Sequence, residues 1–173
     1  MKAFLGAVML TIFSCTLLRA EPYIPFEQRV PNDERGSCVW CCLEMMSKYH
    51  KFNYGLHAKY GGPTNHMDLE SILQKEKVPF SQVRPNPSKS LDFLEANIRA
   101  DVPVMVVLWW WPYTRQSGPP GWHAVIVTGI KDNQIGIIDP NTPGKNWTWS
   151  ETAFKKYWVG WSLVLKEPPL QVE

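Results

Sequence analysis

The sequence predicts an α+β domain, and three observations predict it. Helical spacing of apolar residues is confined to the front of the chain, up to Arg99. Four apolar, β-branched-rich runs follow it. The 173 residues, 45% hydrophobic with 18 basic and 16 acidic side chains, suit one soluble domain and exclude an acidic tail or a nucleic-acid scaffold. A chain of roughly 150 residues buries about 68–70% of the surface its unfolded form exposes, enough for a core without metal or disulfide staples. The cysteines are therefore free for other work.

Residues 1–20 read as a secretory signal: Lys2 precedes an uncharged run from Ala3 to Leu18, and Leu18-Arg19-Ala20 ends on the small residue that a signal peptidase accepts. The run is short for a membrane span. Cleavage after Ala20 would remove Lys2 and Arg19, two of the 18 basic groups, and leave a mature chain balanced at 16 of each sign, with no electrostatic footprint for nucleic acid. An alternative is that Ile12-Phe13-Ser14-Cys15 serves as a bacterial lipoprotein box, with a lipid on Cys15 tying the domain to a membrane surface. Either route places the domain, residues 21–166, outside the cytosol, secreted or periplasmic; residues 167–173 form a Pro-rich tail.

Gly36-Ser37 is a helix-entry signal, and Val39, Cys42, Leu43, Met46 and Tyr49 then recur at helical spacing. Two further amphipathic helices run from Asp68 to Lys75 and from Ser90, as cap, to Arg99. Strands are expected at Val102–Trp110, His123–Ile130, Ile135–Asp139 and Trp158–Leu165. Between the first two, Pro112 to Gly121 is a Pro- and Gly-rich loop of the kind that borders a cleft.

Beyond Cys15, three cysteines remain, Cys38, Cys41 and Cys42, and an odd set within five residues makes no disulfide framework. Burial as small hydrophobes suits Cys42 well, Cys41 fairly and Cys38 least. Cys38 falls in the first helical turn, where unpaired amides and the helix dipole favour thiolate over thiol. Adjacent Cys41 and Cys42 point to different sides of a helix, which argues against a metal site built from the three cysteines with His50.

Of the four histidines, His50, His57 and His66 lie in polar, glycine-rich or helix-end contexts that suit surface or cap roles. His123 instead opens a wholly apolar strand, where a polar ring can reach a cleft. The strands on either side of Lys131-Asp132-Asn133-Gln134 should pair as a hairpin, which sets His123 nearly opposite Asp139 and its ring within reach of the carboxylate. An acid there would fix the imidazole tautomer and stabilise the imidazolium. The competing reading makes Asp139-Pro140-Asn141 a turn initiator only.

Gly36-Ser37-Cys38 before a helix, His123 opening an apolar strand and Asp139-Pro140 closing the next together resemble the papain-like cysteine peptidase superfamily, and most nearly its compact bacterial branch, related to peptidases that cut double-glycine leaders. The resemblance spans residues 28 to 165. It implies N-terminal helices packed on a C-terminal antiparallel sheet, Cys38 as nucleophile, His123 as general base and then acid, Asp139 as the orienting group, a peptide or protein substrate, and no cofactor. Such enzymes carry a glutamine six residues before the nucleophile to help hold the oxyanion; here that place holds Asn32, with Gln28 ten before as the substitute. The expected function is therefore a monomeric cysteine peptidase working through a thioacyl intermediate, with water or an amine as acceptor. The nine tryptophans suit core filling, with Trp122 expected to shield the His123 pair. The sequon Asn146-Trp147-Thr148 counts only in a eukaryotic source, against which the bacterial resemblance speaks.

Two rivals belong to other classes. Cys38-Val39-Trp40-Cys41 has the spacing of a thiol-disulfide redox motif, although the segment before it, Phe26 to Arg35, is charged and proline-bearing where such motifs follow a core strand. A catalytically silent papain-like binding module is the other.

Overall fold

The computed structural model describes residues 22–33, 35–84, 89–109 and 121–167. The leader with Cys15, Trp110 and Trp111, nearly all of the loop after them and the end of the tail lie outside the described residues.

A short 3-10 turn, Phe26–Gln28, leads to helix α1, Cys38–Tyr49. Gly36 makes the entry, at φ +76°, a backbone setting in which a Cβ would be strained. The expected single buried face is exceeded: Trp40, Cys41 and Met45 are as buried as Cys42, Leu43 and Met46. The reason is that α1 packs at once on the sheet, the N-terminal turn and the next helix, α2, Leu56–Tyr60. Helix α3, His66–Lys75, follows, two residues earlier than its apolar spacing suggests because Asn65 caps it: Asn65 Oδ1 accepts from the Asp68 amide at 2.9 Å.

Strand β1, Phe80–Val83, comes next, then α4, Asp92–Arg99, β2, Val104–Trp109, β3, Trp122–Lys131, β4, Gln134–Ile138, β5, Trp147–Ser150, α5, Glu151–Tyr157, and β6, Trp158–Leu165. Ser90 is not the cap expected of it: the helix starts two residues later, with Leu91 at the N-cap, and the Ser90 Oγ accepts from the Asp92 amide at 3.2 Å just ahead of the first turn. The strands form one antiparallel sheet in the order β1-β6-β2-β3-β4-β5, so the last strand lies inside it between the first and second.

Side chains alternate between the faces. Met105, Ala124, Ile126, Ile138 and Leu163 meet α1, α2 and α3, while Val104, Val106, Val125, Val127, Ile135 and Ile137 meet α4 and α5. The helices thus cover both faces, and a strand buried on both sides reads as an unbroken apolar run in the sequence. Asp132 and Asn133, at φ +50° and +59°, form the two-residue turn that joins β3 to β4 through the pair Lys131↔Gln134.

Candidate active site

Cys38 is the first residue of α1 and is 9% exposed, whereas Cys41 and Cys42 are wholly buried. All three are free thiols. Their environments differ in sign. Burial works against charge on the Cys38 sulfur, but the hydrogen bond and charge of His123, with the backbone N–H groups of Ala124 and Val39, outweigh it and hold the thiol below its ordinary value. Burial pushes the Cys41 thiol up, and the Cys42 thiol well up. Cys41 is further tied down, its Sγ donating to the Pro31 carbonyl at 3.4 Å.

The sheet supplies the partner. Helix α1 lies against β3 with its first turn at the strand's opening, so the Ala124 amide donates to Cys38 Sγ at 3.5 Å. His123, 5% exposed, places Nε2 2.7 Å from Oδ1 of Asp139, which is 6% exposed, and its other nitrogen is left for the Cys38 thiol. Burial works against the imidazolium, yet Asp139 and then Cys38 outweigh it and raise the ring's pKa to about 9. The structure therefore brings Cys38, His123 and Asp139 into one line.

The register does so less directly than the hairpin arithmetic suggests. A bulge between Val127 and Gly129 shifts the β3–β4 ladder, which ends at Ile126↔Ile138. Asp139 is one step beyond that pair and His123 three, so they are diagonal neighbours and the imidazole spans the offset. Both readings of Asp139-Pro140-Asn141 hold together: the oxygen that meets His123 also accepts from the Asn141 amide at 2.8 Å, and the Asp139 carbonyl accepts from Thr142.

A cleft of about 320 Å³ opens on Cys38 and His123. Val107, Val159 and Trp161 form its floor from the sheet, and Pro63, Thr64 and Asn65, leading into α3, form the opposite bank. Trp122, 64% exposed, stands at the rim edge-on to Trp109 with ring centroids 5.3 Å apart. Apart from Trp122, this lining is not legible in the sequence, because its residues come from β2, β6 and the segment leading into α3, far apart in the chain.

Asn32 lies beside the site, not in the cleft wall. Its Nδ2 donates to Asn141 Oδ1 at 2.7 Å, and its Oδ1 accepts from Ser37 Oγ at 3.3 Å. Gln28 sits in the 3-10 turn with its Oε1 buried. His50 stacks on Phe52 at the far end of α1 from Cys38. Among the described residues no group of three or more His, Cys, Asp or Glu is arranged to hold a metal ion, and no helix is long and apolar enough to cross a membrane.

Comparison with known proteins bears on this geometry. A model of the family described as the peptidase C39 family matches residues 27–169. Among solved structures, the peptidase domain of Streptococcus ComA, a bifunctional ABC transporter, is 20% identical with a TM-score of 0.57, covering 79% of this chain and 95% of its own. A double glycine motif protease from an AMS/PCAT transporter, solved with its leader peptide, is 16% identical with a TM-score of 0.60, covering 88% and 96%. A candidate C39-like peptidase from Bacillus anthracis is 15% identical with a TM-score of 0.55, covering 83% and 94%. No curated protein matches. At such identities the solved structures show the fold, an α+β papain-like one.

Proposed function

Because the chain belongs to the peptidase C39 family and is a cysteine-type peptidase, we propose that it cuts peptide bonds with Cys38 as nucleophile, His123 as proton carrier and Asp139 as the group that orients the ring. The observation that carries this reading is the contrast among three thiols within one helix: the one beside the His123–Asp139 pair is drawn toward thiolate, and the other two are pushed away from it. Asp139 on Nε2 leaves the second ring nitrogen to take the Cys38 proton, and the lowered thiol and raised ring both favour that transfer to a thiolate–imidazolium pair.

The sulfur attacks the substrate carbonyl carbon, forming a C–S bond while the carbonyl π electrons move onto oxygen. That oxyanion faces the start of α1, where the Cys38 amide is one of the helix N–H groups without an intrahelical partner. The C–N bond then breaks, and the imidazolium gives its proton to the departing amine. Water, deprotonated by the now neutral ring, cleaves the thioester and restores the thiol and the free acid. The substrate in this reading is a peptide, and the transporter protease of the same fold was solved with a leader peptide bound. Residues 1–20 carry the chain out of the cytosol in this reading, which N-terminal sequencing of protein from the native host checks by finding Glu21 first or a lipid on Cys15.

The direct test is alkylation of the purified protein with iodoacetamide across pH, with each labelled cysteine located by peptide mass. Cys38 should react fastest, with an apparent pKa below the free-thiol value of about 8.5, and His123→Ala should erase that advantage. Equal labelling of the three thiols would sink the assignment, and rapid reversible pairing of Cys38 with Cys41 would favour redox chemistry.

A further inference from the structure

We infer that Asn32 is a positioning residue, which clamps the loop bearing Asp139 to the front of the helix bearing Cys38, and not the donor to the oxyanion. The inference rests on the reading of Cys38, His123 and Asp139 given above.

Asn32 holds both sides of the site. Its backbone N–H donates to the Pro140 carbonyl at 2.8 Å, and its Nδ2 donates to Asn141 Oδ1 at 2.7 Å, so it grips the two residues that directly follow Asp139. Its Oδ1 shares the hydroxyl proton of Ser37, the residue that precedes Cys38, with Asp33 Oδ1, at 3.3 and 2.9 Å. Asn141 passes the constraint on, because its own N–H bonds the Asp139 oxygen that meets His123. From Ser37 to His123 the chain of contacts is thus Ser37, Asn32, Asn141, Asp139, His123, each joined to the next by a hydrogen bond.

An oxyanion donor must present a free N–H to the cleft beside Cys38. Asn32 is not part of the cleft wall; its side-chain oxygen is turned to Ser37, and one of its two amide N–H groups is taken by Asn141. The far end of the same loop is fastened as well: buried Arg29 donates from Nη1 to the carbonyls of Pro143 and Lys145, at 2.9 and 3.1 Å, and from Nη2 to Asn146 Oδ1 at 2.6 Å. Residues 24–33 act as a strap across the loop, with Asn32 as the fastening nearest the reacting groups.

The two roles predict different variants to matter. Asn141→Ala removes the partner of the clamp and leaves the Asn32 amide in place. If Asn32 is a clamp, Asn32→Ala and Asn141→Ala should each slow iodoacetamide labelling of Cys38 at pH 7 by about three- to tenfold, the worth of one hydrogen bond, and move its pH profile to the alkaline side. The double variant should go no further than either single one. Hydrogen exchange at the Asn141 and Thr142 amides, which bond to Asp139, should quicken in both variants while exchange in β3 stays slow, which separates a loosened loop from a failure to fold. A wild-type profile in Asn141→Ala, or effects that add in the double variant, would overturn the clamp. If Cys38 of the unaltered protein labels no faster than Cys41, the reading of the site fails first, and that result is read before any Asn32 variant is made.

Discussion

His123 sets the working range of the site. Its pKa of about 9 and the lowered Cys38 thiol bracket the pH range in which thiolate and imidazolium coexist. Peptide cleavage should rise as Cys38 ionises and fall as the ring loses its proton near pH 9, a profile that kcat/KM measured across pH will show. Asp139→Asn keeps the shape and removes the charge, so the ring falls back toward its ordinary 6.5 and the upper limb moves to lower pH with it. The same shift is linked to stability. A ring whose pKa is raised on folding contributes stability in full below about 6.5 and loses it as pH rises through about 9. Chemical denaturation at pH 6 and pH 10 should therefore show a smaller loss in His123→Ala than in the unaltered protein. Cys38 and His123 were legible in the sequence because a thiol at a helix start and a polar ring opening an apolar strand each break a pattern. Asn32 was legible as a residue and not as a contact, since its partners Asn141 and Ser37 are fixed by how the loop folds back.

Elements with deep burial could be read, and short edge elements could not. Strand β6 begins and ends where its apolar run does. By contrast β1 and β5, four residues each, lie at the two edges of the sheet with no residue fully buried, so FSQV and WTWS carry no continuous apolar signal. Helix α5 buries only Phe154, and α2 only Leu56, too little for spacing to register. What fixes α5 instead is its cap: Ser150 Oγ accepts from the Ala153 amide at 3.2 Å. Ser150→Ala should lower stability by about 1 kcal/mol, read as a shift in urea midpoint at constant slope. The entry to α1 is a sharper case. A Cβ on Gly36 would touch nothing within 4 Å, so Gly36→Ala is penalised by the positive φ alone, about 1–2 kcal/mol, and any larger loss in urea unfolding would mean that the first turn carrying Cys38 has been reset.

At the scale of the molecule, helices on both faces leave the middle of the sheet without a solvent side. Ile126, wholly buried and facing α1 two residues beyond Ala124, sits where the core passes into the active site. Ile126→Ala should lower stability by about 2–5 kcal/mol in urea unfolding. The helical front and sheet-rich back were plain in the sequence, but the assignment of α4 and α5 to the second face was not, because helical spacing says that a face is buried and not against what. The strand order carries a further consequence. The last of the described strands, β6, is the wedge that joins β1 to the rest, and the sulfur and the amide that greets it are 86 residues apart. Until residue 139 has emerged, the nascent chain lacks the ring or its carboxylate and holds a thiol with no completed pair beside it.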